Sequence, residues 1–175
     1  EELQERVMCK TSITDPSARK AIIQMVKIGF LKPYLGGYVP EAKQYLDART
    51  DIRRTNILSK VVYSYSNFQN SITDPDYGGT AVQIKFLLNT LEEVGAIDTP
   101  ALYALMTTKI SDYPRGYLLK KELDELYVKV KDIDFDDRKY NQMGHLRSLL
   151  KRMDDLCVHN KVIYFKTDAE RMFGD

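Results

Sequence analysis

The sequence predicts a mainly α fold with short β-hairpins, an α+β chain in which two helix-and-hairpin units are joined by a helical middle. Three observations carry this expectation. Apolar side chains recur at helical spacing over most of the 175 residues, and polar or glycine turns separate short aromatic-rich arms at two places. The order helix, hairpin, helix also occurs twice, at a shift of 127 residues and with negligible identity. The boundary is expected near residue 75, giving subdomains 1–75 and 76–175.

The first helix is predicted over residues 16–28 of DPSARKAIIQMVKIGF. Asp15 is the expected N-cap and Pro16 lies in the first turn, while Ala18, Ile22, Met25, Val26 and Ile28 form the apolar stripe and Gly29 ends it. In FLKPYLGGYVP the arms flank Leu35-Gly36-Gly37, where glycine permits the positive φ of a tight hairpin turn. Pro40 then opens a short helix with Ala42, Tyr45 and Leu46 inward, and a longer helix follows from Asp51 to Tyr65. NSITDPDYGG reads as a loop.

In the middle, TAVQIKFLLNTLEEVG is a mostly buried helix stopped by Gly95, and AIDTPALYALMTT restarts with Asp98 or Thr99 as cap and Pro100 in the first turn. That order is a helix-turn-helix pattern. A helix over 115–131, an exposed acidic connector DIDFDD and a helix over 137–155 are expected next, the last with Leu146, Leu149, Leu150 and Met153 on one side. LCVHNKVIYFKTDAERMF closes the chain as a second hairpin followed by a helix capped by Thr167 and Asp168.

Composition narrows the classes. With 43% hydrophobic and 29% charged residues the chain is neither disordered nor fibrous. No apolar run approaches the roughly 20 residues that span a bilayer, and EELQERVMCK lacks the order of a signal peptide, so a cytoplasmic location is expected. Beginning with Glu, the chain is expected to be a piece of a larger protein. Cys9 and Cys157 are too few for a disulfide framework or a zinc site and are expected to be reduced and buried. The net charge of +1 hides an uneven distribution, with balances of +6 over residues 16–73, −6 over 74–137 and +3 over 138–175. Two basic blocks around an acidic middle suit a polyanion held at both ends, and equally suit solvated helix faces.

A helix followed by a two-stranded wing is the layout of winged-helix domains, in which the helix enters the DNA major groove and the wing grips the backbone. On that reading the first helix offers Ser17, Arg19, Lys20 and Gln24 to the groove, while Ile22, Ile23 and Met25 hold it to the core. Arg19 suits guanine and Gln24 adenine, whereas Lys20, Lys27 and Lys32 suit phosphates and Tyr34 the sugar backbone. Arg53, Arg54 and Lys60 form a second basic face, read as a backbone clamp or as plain solvated surface. The second unit offers Asn141, Gln142, His145, Ser148, Lys151 and Arg152 on its pre-wing helix and Lys161 in the wing.

The run SARKAIIQMVKIGFLKPYLGGYVPEAKQYL, then DIRRTNILSKVVYSY, then IKFLLNTLEEVGAIDTPALYALMTT, resembles the N-terminal DNA-recognition region of type IIS restriction and nicking endonucleases of the AlwI kind. Leu87, Leu88, Gly95, Ile97, Asp98, Leu102, Ala104 and Leu105 keep the shape of that family's later signature. Lys20 beside Arg19, the glycine-free stretch from Glu41 to Leu46, and Met106 in place of an aromatic depart from it. The resemblance spans nearly the whole chain, mostly through helical framework. It implies a module that reads a short asymmetric site in double-stranded DNA, with cleavage left to a separate C-terminal nuclease domain that requires Mg²⁺, and two unlike units in one chain favour a monomer. No cofactor is expected in this chain itself.

Catalytic constellations are weak. A nuclease core of the PD-(D/E)-x-K type would have to use Pro75-Asp76 with Gln83-Ile84-Lys85, but its second acid is Gln and Lys85 sits in a helical pattern. Asp134, Asp136, Asp137 and Lys139 read as a solvated connector, and neither His145 nor His159 has a nearby Ser or Cys nucleophile with a positioned acid. No residue is assigned a catalytic or metal-binding role. The competing readings are a winged-helix protein-interaction module and a winged-helix transcriptional regulator, the latter normally a symmetric dimer on a palindrome.

Overall fold

A computed structural model describes residues 5, 8–10, 14–32, 34, 36–65, 83–135 and 140–167, with backbone alone at residues 15, 83, 141 and 142. It is mainly helical with one small antiparallel sheet, and it divides into two compact units, Glu1–Asn67 and Phe68–Asp175. The helices of the expected middle therefore belong to the second unit. The expected NSITDPDYGG loop and the final helix beyond Thr167 lie outside the described residues.

In the first unit, α1 spans Asp15–Ile28. Thr14, extended at φ −70° and ψ 157°, occupies the N-cap in place of Asp15, and Pro16 stands in the first turn, where its missing N–H has no partner to lose. Gly29 ends the helix at φ 106°, its N–H donating to the Met25 carbonyl at 3.1 Å. The hairpin that follows is narrower than expected. Among the described residues it is one antiparallel bridge, Leu31 to Tyr38, framed by the bonds Lys32 N–H to Gly37 C=O at 2.8 Å and Val39 N–H to Phe30 C=O at 3.1 Å. Helices α2 (Pro40–Asp47) and α3 (Asp51–Tyr65) complete the unit, the second on its expected bounds.

The core of this unit is Ala18, Phe30, Val39 and Ala48 with Ile57, Leu58, Val61 and Val62 of α3. Each such aliphatic side chain in α3 contributes roughly 1.5–3 kcal/mol by leaving water. Phe30 tilts against Tyr45 with ring centroids 5.0 Å apart. Two expectations fail here. Leu46 points outward at 80% exposure and Glu41 takes a buried place on α2, where Lys60 of α3 pairs with one of its carboxylate oxygens, Oε1. Ile23 and Met25 of α1 stay about two-fifths exposed, so Ala18, with half-buried Ile22, Val26 and Ile28, does the packing. Cys9 is also exposed, against expectation, and Cys157 is half-buried.

In the second unit, α4 (Gln83–Val94) presents Ile84, Phe86, Leu87, Leu88 and Leu91 to the core, and Gly95 turns the chain at φ 82°. Ile97 then bridges to Ile163, and α5 (Thr99–Thr107) begins with the Asp98 side chain accepting the Ala101 N–H at 3.0 Å. The next helix starts later than expected. Ile110–Asp112 form a 3₁₀ turn and α6 runs only over Lys120–Val130, because Gly116, at φ 83°, interrupts the expected run and Glu122 accepts the Leu119 N–H at 2.8 Å, which caps the later start.

Thr90 anchors that irregular loop. Wholly buried, its hydroxyl donates to the Phe86 carbonyl at 2.9 Å and accepts the buried Leu118 N–H at 3.0 Å. Replacing it by valine keeps the volume but leaves the Leu118 N–H without its acceptor. The expected loss is about 1–3 kcal/mol in urea unfolding, with serine restoring most of it.

The acidic connector is only partly exposed. Phe135 packs with Tyr103 and Tyr140, the three centroids lying 5.1–5.4 Å apart in tilted and edge-on pairs, while 136–139 lie outside the described residues. Helix α7 covers Asn141–Leu150, shorter than the expected 137–155. Lys151, Arg152 and Met153 form a tight turn held by i→i−3 and i→i−4 bonds to Arg147, Leu149 and Leu150. Leu146, Leu149, Leu150 and Met153 are buried as expected.

Strands β1 (Leu156–His159) and β2 (Val162–Phe165) pair antiparallel from Leu156–Phe165 to His159–Val162. Asn160 and Lys161 both take positive φ, 48° and 65°, the signature of a two-residue turn whose twist matches the strands. Ile97 adds a third strand position, exchanging both backbone bonds with Ile163 at 2.8 and 2.9 Å. This second hairpin is therefore fuller than the first; helix then hairpin occurs in both units, while the helix expected after the second hairpin lies outside the described residues. No helix among the described residues is long and apolar enough to cross a membrane.

Candidate nucleic-acid interface

In the second unit the predicted residues whose side chains are described are all exposed. On α7, His145 and Ser148 are exposed at i, i+3 spacing, opposite buried Met143, Leu146, Leu149 and Leu150. Asn141 falls on the same stripe by spacing. Lys151 and Arg152 are exposed in the turn that leads into β1, not on the helix itself, and Lys161 is exposed at the tip of the hairpin. Polar helix face, basic turn and basic tip thus follow one another along a single stretch of chain. The side chain of Gln142, like that of Asn141, lies outside the described residues.

One basic residue of α7 turns inward. Arg147 donates from Nη1 to the Thr99 hydroxyl at 2.9 Å. Beside it, Asp98 accepts the Ala101 N–H on one carboxylate oxygen and the Tyr127 hydroxyl on the other, at 3.1 Å. That carboxylate holds the Tyr127 phenol above its ordinary pKa, because hydrogen bonding to a neighbouring negative charge favours the neutral donor. Spacing along the chain identifies Asp98 as a cap but not its partners, which are separated from it by whole helices.

Arg115 is a further fixed cation that spacing alone could have revealed in the string YPRGY. Its guanidinium lies 5.6 Å from the Tyr113 ring centroid and 5.5 Å from that of Tyr117, donates to the Tyr117 carbonyl at 2.9 Å and pairs with Glu122.

In the first unit the predicted residues disperse. Ser17, Arg19 and Lys20 are exposed and Gln24 is half-buried. Ser17, Lys20, Gln24 and Lys27 share one stripe of α1, whereas Arg19 stands on another with Ile23. Burial lowers the Lys27 pKa. Lys32 is exposed, and Tyr34 is fully exposed with φ 56°. The expected second basic face is partly neutralised: Arg53 is exposed, Arg54 pairs with Asp51 at 3.3 Å, and Lys60 pairs with buried Glu41 at 2.9 Å.

The Lys60 ammonium holds the Glu41 carboxyl below its ordinary value, and Glu41 holds Lys60 above its own. The lowered Glu41 contributes stability that is present above the ordinary carboxylate pKa and disappears as pH falls through the folded value. The raised Lys60 contributes stability that is full below the ordinary lysine pKa and disappears as pH rises through the folded value. Urea midpoints followed against pH are expected to fall on both limbs, below about pH 4 and above about pH 10.4, and Lys60→Met is expected to remove the alkaline contribution.

Among the described residues no group of three or more His, Cys, Asp or Glu side chains converges to hold a metal ion. Lys85, the lysine of the nuclease-core candidate, lies exposed on α4, while residues 75 and 76 lie outside the described residues. Compared with protein families, curated proteins and solved structures, the chain matches none of them.

Proposed function

We propose that this chain binds double-stranded DNA sequence-specifically, as the target-recognition portion of a type IIS restriction or nicking endonuclease whose nuclease domain lies outside it. The observation that carries the reading is the second unit's exposed α7 face and the hairpin directly after it. The order α4, Ile97, α5, α6, α7, β1, β2, with Ile97 and β1 on either side of β2, supports reading this unit as a winged helix with one extra helix. On this reading Asn141, His145 and Ser148 face base edges, while Lys151, Arg152 and Lys161 meet phosphates. The first unit adds a weaker second contact through Ser17, Lys20 and Gln24. Two unlike units in one chain favour a monomer on an asymmetric site.

Selection of the chain on a randomised duplex pool, at two salt concentrations and with Mg²⁺ present, tests this. An enriched non-palindromic motif bound without cleavage is the expected result. Palindromic enrichment would instead indicate a dimeric regulator. No enrichment, with no binding at low salt, would sink the DNA reading and favour a protein-interaction module, to which the exposed Ile23, Met25, Leu46 and Ile52 of the first unit are suited.

A further inference from the structure

We infer that Ile97-Asp98-Thr99 is a clamp that fixes the pre-wing helix and the wing as one reading surface, and that Arg147 is a positioning residue rather than a DNA contact. This rests on the DNA reading of α7 given above. Three consecutive residues each tie down a different element. Ile97 exchanges two backbone bonds with Ile163 of β2, Asp98 accepts the Tyr127 hydroxyl of α6, and Thr99 accepts the Arg147 guanidinium of α7. Because the three anchors are adjacent in the chain, hairpin and helix cannot shift independently without breaking one of them. The Arg147 bond bears on rotation of α7 about its axis, since it leaves from the flank of the helix about 160° around from His145 and about 100° from Ser148, beside the buried stripe, and ends on the Asp98-capped start of α5. Base readout depends on that rotation, because bidentate pairing to base edges tolerates little angular error, whereas phosphate contacts follow the backbone loosely.

The test uses the whole 175-residue chain with Thr99→Val, which keeps shape and removes the acceptor, and with Arg147→Lys as the conservative rescue. Affinity for the selected duplex and for a scrambled one is measured by fluorescence anisotropy across a salt series, alongside amide hydrogen exchange of α7. Thr99→Val is expected to weaken the selected duplex about tenfold, the equivalent of one charge-assisted hydrogen bond, while the scrambled duplex and the salt slope stay as in the wild type and α7 amides exchange faster. Arg147→Gln is expected to lose the same selectivity, and Arg147→Lys, which still carries a cationic donor, to keep part of it. Equal weakening on both duplexes, or a salt slope reduced by about one in Arg147→Gln, would make Arg147 a phosphate contact and overturn the inference. Unchanged exchange of α7 in Thr99→Val would also overturn it, on evidence that needs no DNA. If the wild-type chain binds neither duplex while Thr99→Val still speeds α7 exchange, the clamp stands as a structural device and the DNA reading is what fails.

Discussion

Replacing Ile163 by alanine is expected to destabilise the second unit by about 2–5 kcal/mol, the range for truncating a well-packed aliphatic core residue. Ile163 is wholly buried, occupies the middle of β2, pairs with Val158 on one side and exchanges backbone bonds with Ile97 on the other. Its side chain therefore fills the place where the sheet meets the helical core. Domains of this size have total stabilities of about 5–15 kcal/mol, so a loss in that range removes a large share of the whole. Urea unfolding followed by far-ultraviolet circular dichroism gives the midpoint shift. Ile163→Val should lose only about 0.5–1.5 kcal/mol, since a single methylene leaves a small cavity. An alanine variant with an unchanged midpoint would mean that the Ile163 side chain does not fill the core between the sheet and the helices.

The second large effect concerns salt. If Arg152 and Lys161 meet phosphates, Arg152→Ala combined with Lys161→Ala is expected to lower the magnitude of the slope of log affinity against log salt by about 1.8, near 0.9 for each phosphate left without its cation. Both substitutions should weaken selected and scrambled duplexes alike, because phosphate contacts position the protein without reporting sequence. Both side chains are exposed, so folding should be little changed. Arg53→Ala serves as the comparison in the first unit, where neighbouring Arg54 and Lys60 are already engaged by Asp51 and Glu41. A double variant that keeps the wild-type slope would remove these two residues from the contact surface.

The Ile163 and Thr90 variants probe packing and a buried hydrogen bond, and their expected losses hold whatever the chain binds. The salt experiment and the selection probe the proposed function. The pH limbs of the Glu41–Lys60 pair separate the first unit's stability from the second's, since both residues lie in Glu1–Asn67.

Features set by a few neighbouring residues were legible in the chain. Pro16 and Pro100 marked helix starts, Gly29 and Gly95 marked helix ends, and Asp98 was readable as a cap because its carboxylate needs only an N–H three residues on. The bounds of α3 and the buried stripe Leu146, Leu149, Leu150 and Met153 followed from spacing. Legibility ended where two local signals competed. The helix expected from residue 115 does not start there, because Gly116 takes φ 83° and Arg115 is held by two rings and Glu122. In the first hairpin the glycines gave the turn, while the length of the arms was not encoded in them.

Partnerships across many residues were decided by the tertiary structure. Glu41 is buried with Lys60 of another helix beside it, whereas Leu46 of the same helix is exposed. Arg147 faces inward because Thr99 lies within reach, so one of the basic residues in the last block is withdrawn from the candidate surface. Ile97 is a strand residue only because Ile163 is beside it. Helix caps and turns are short-range and are settled by local backbone sterics and hydrogen bonds. Burial of a charge or pairing of a lone strand residue depends on a partner brought close only when the chain folds.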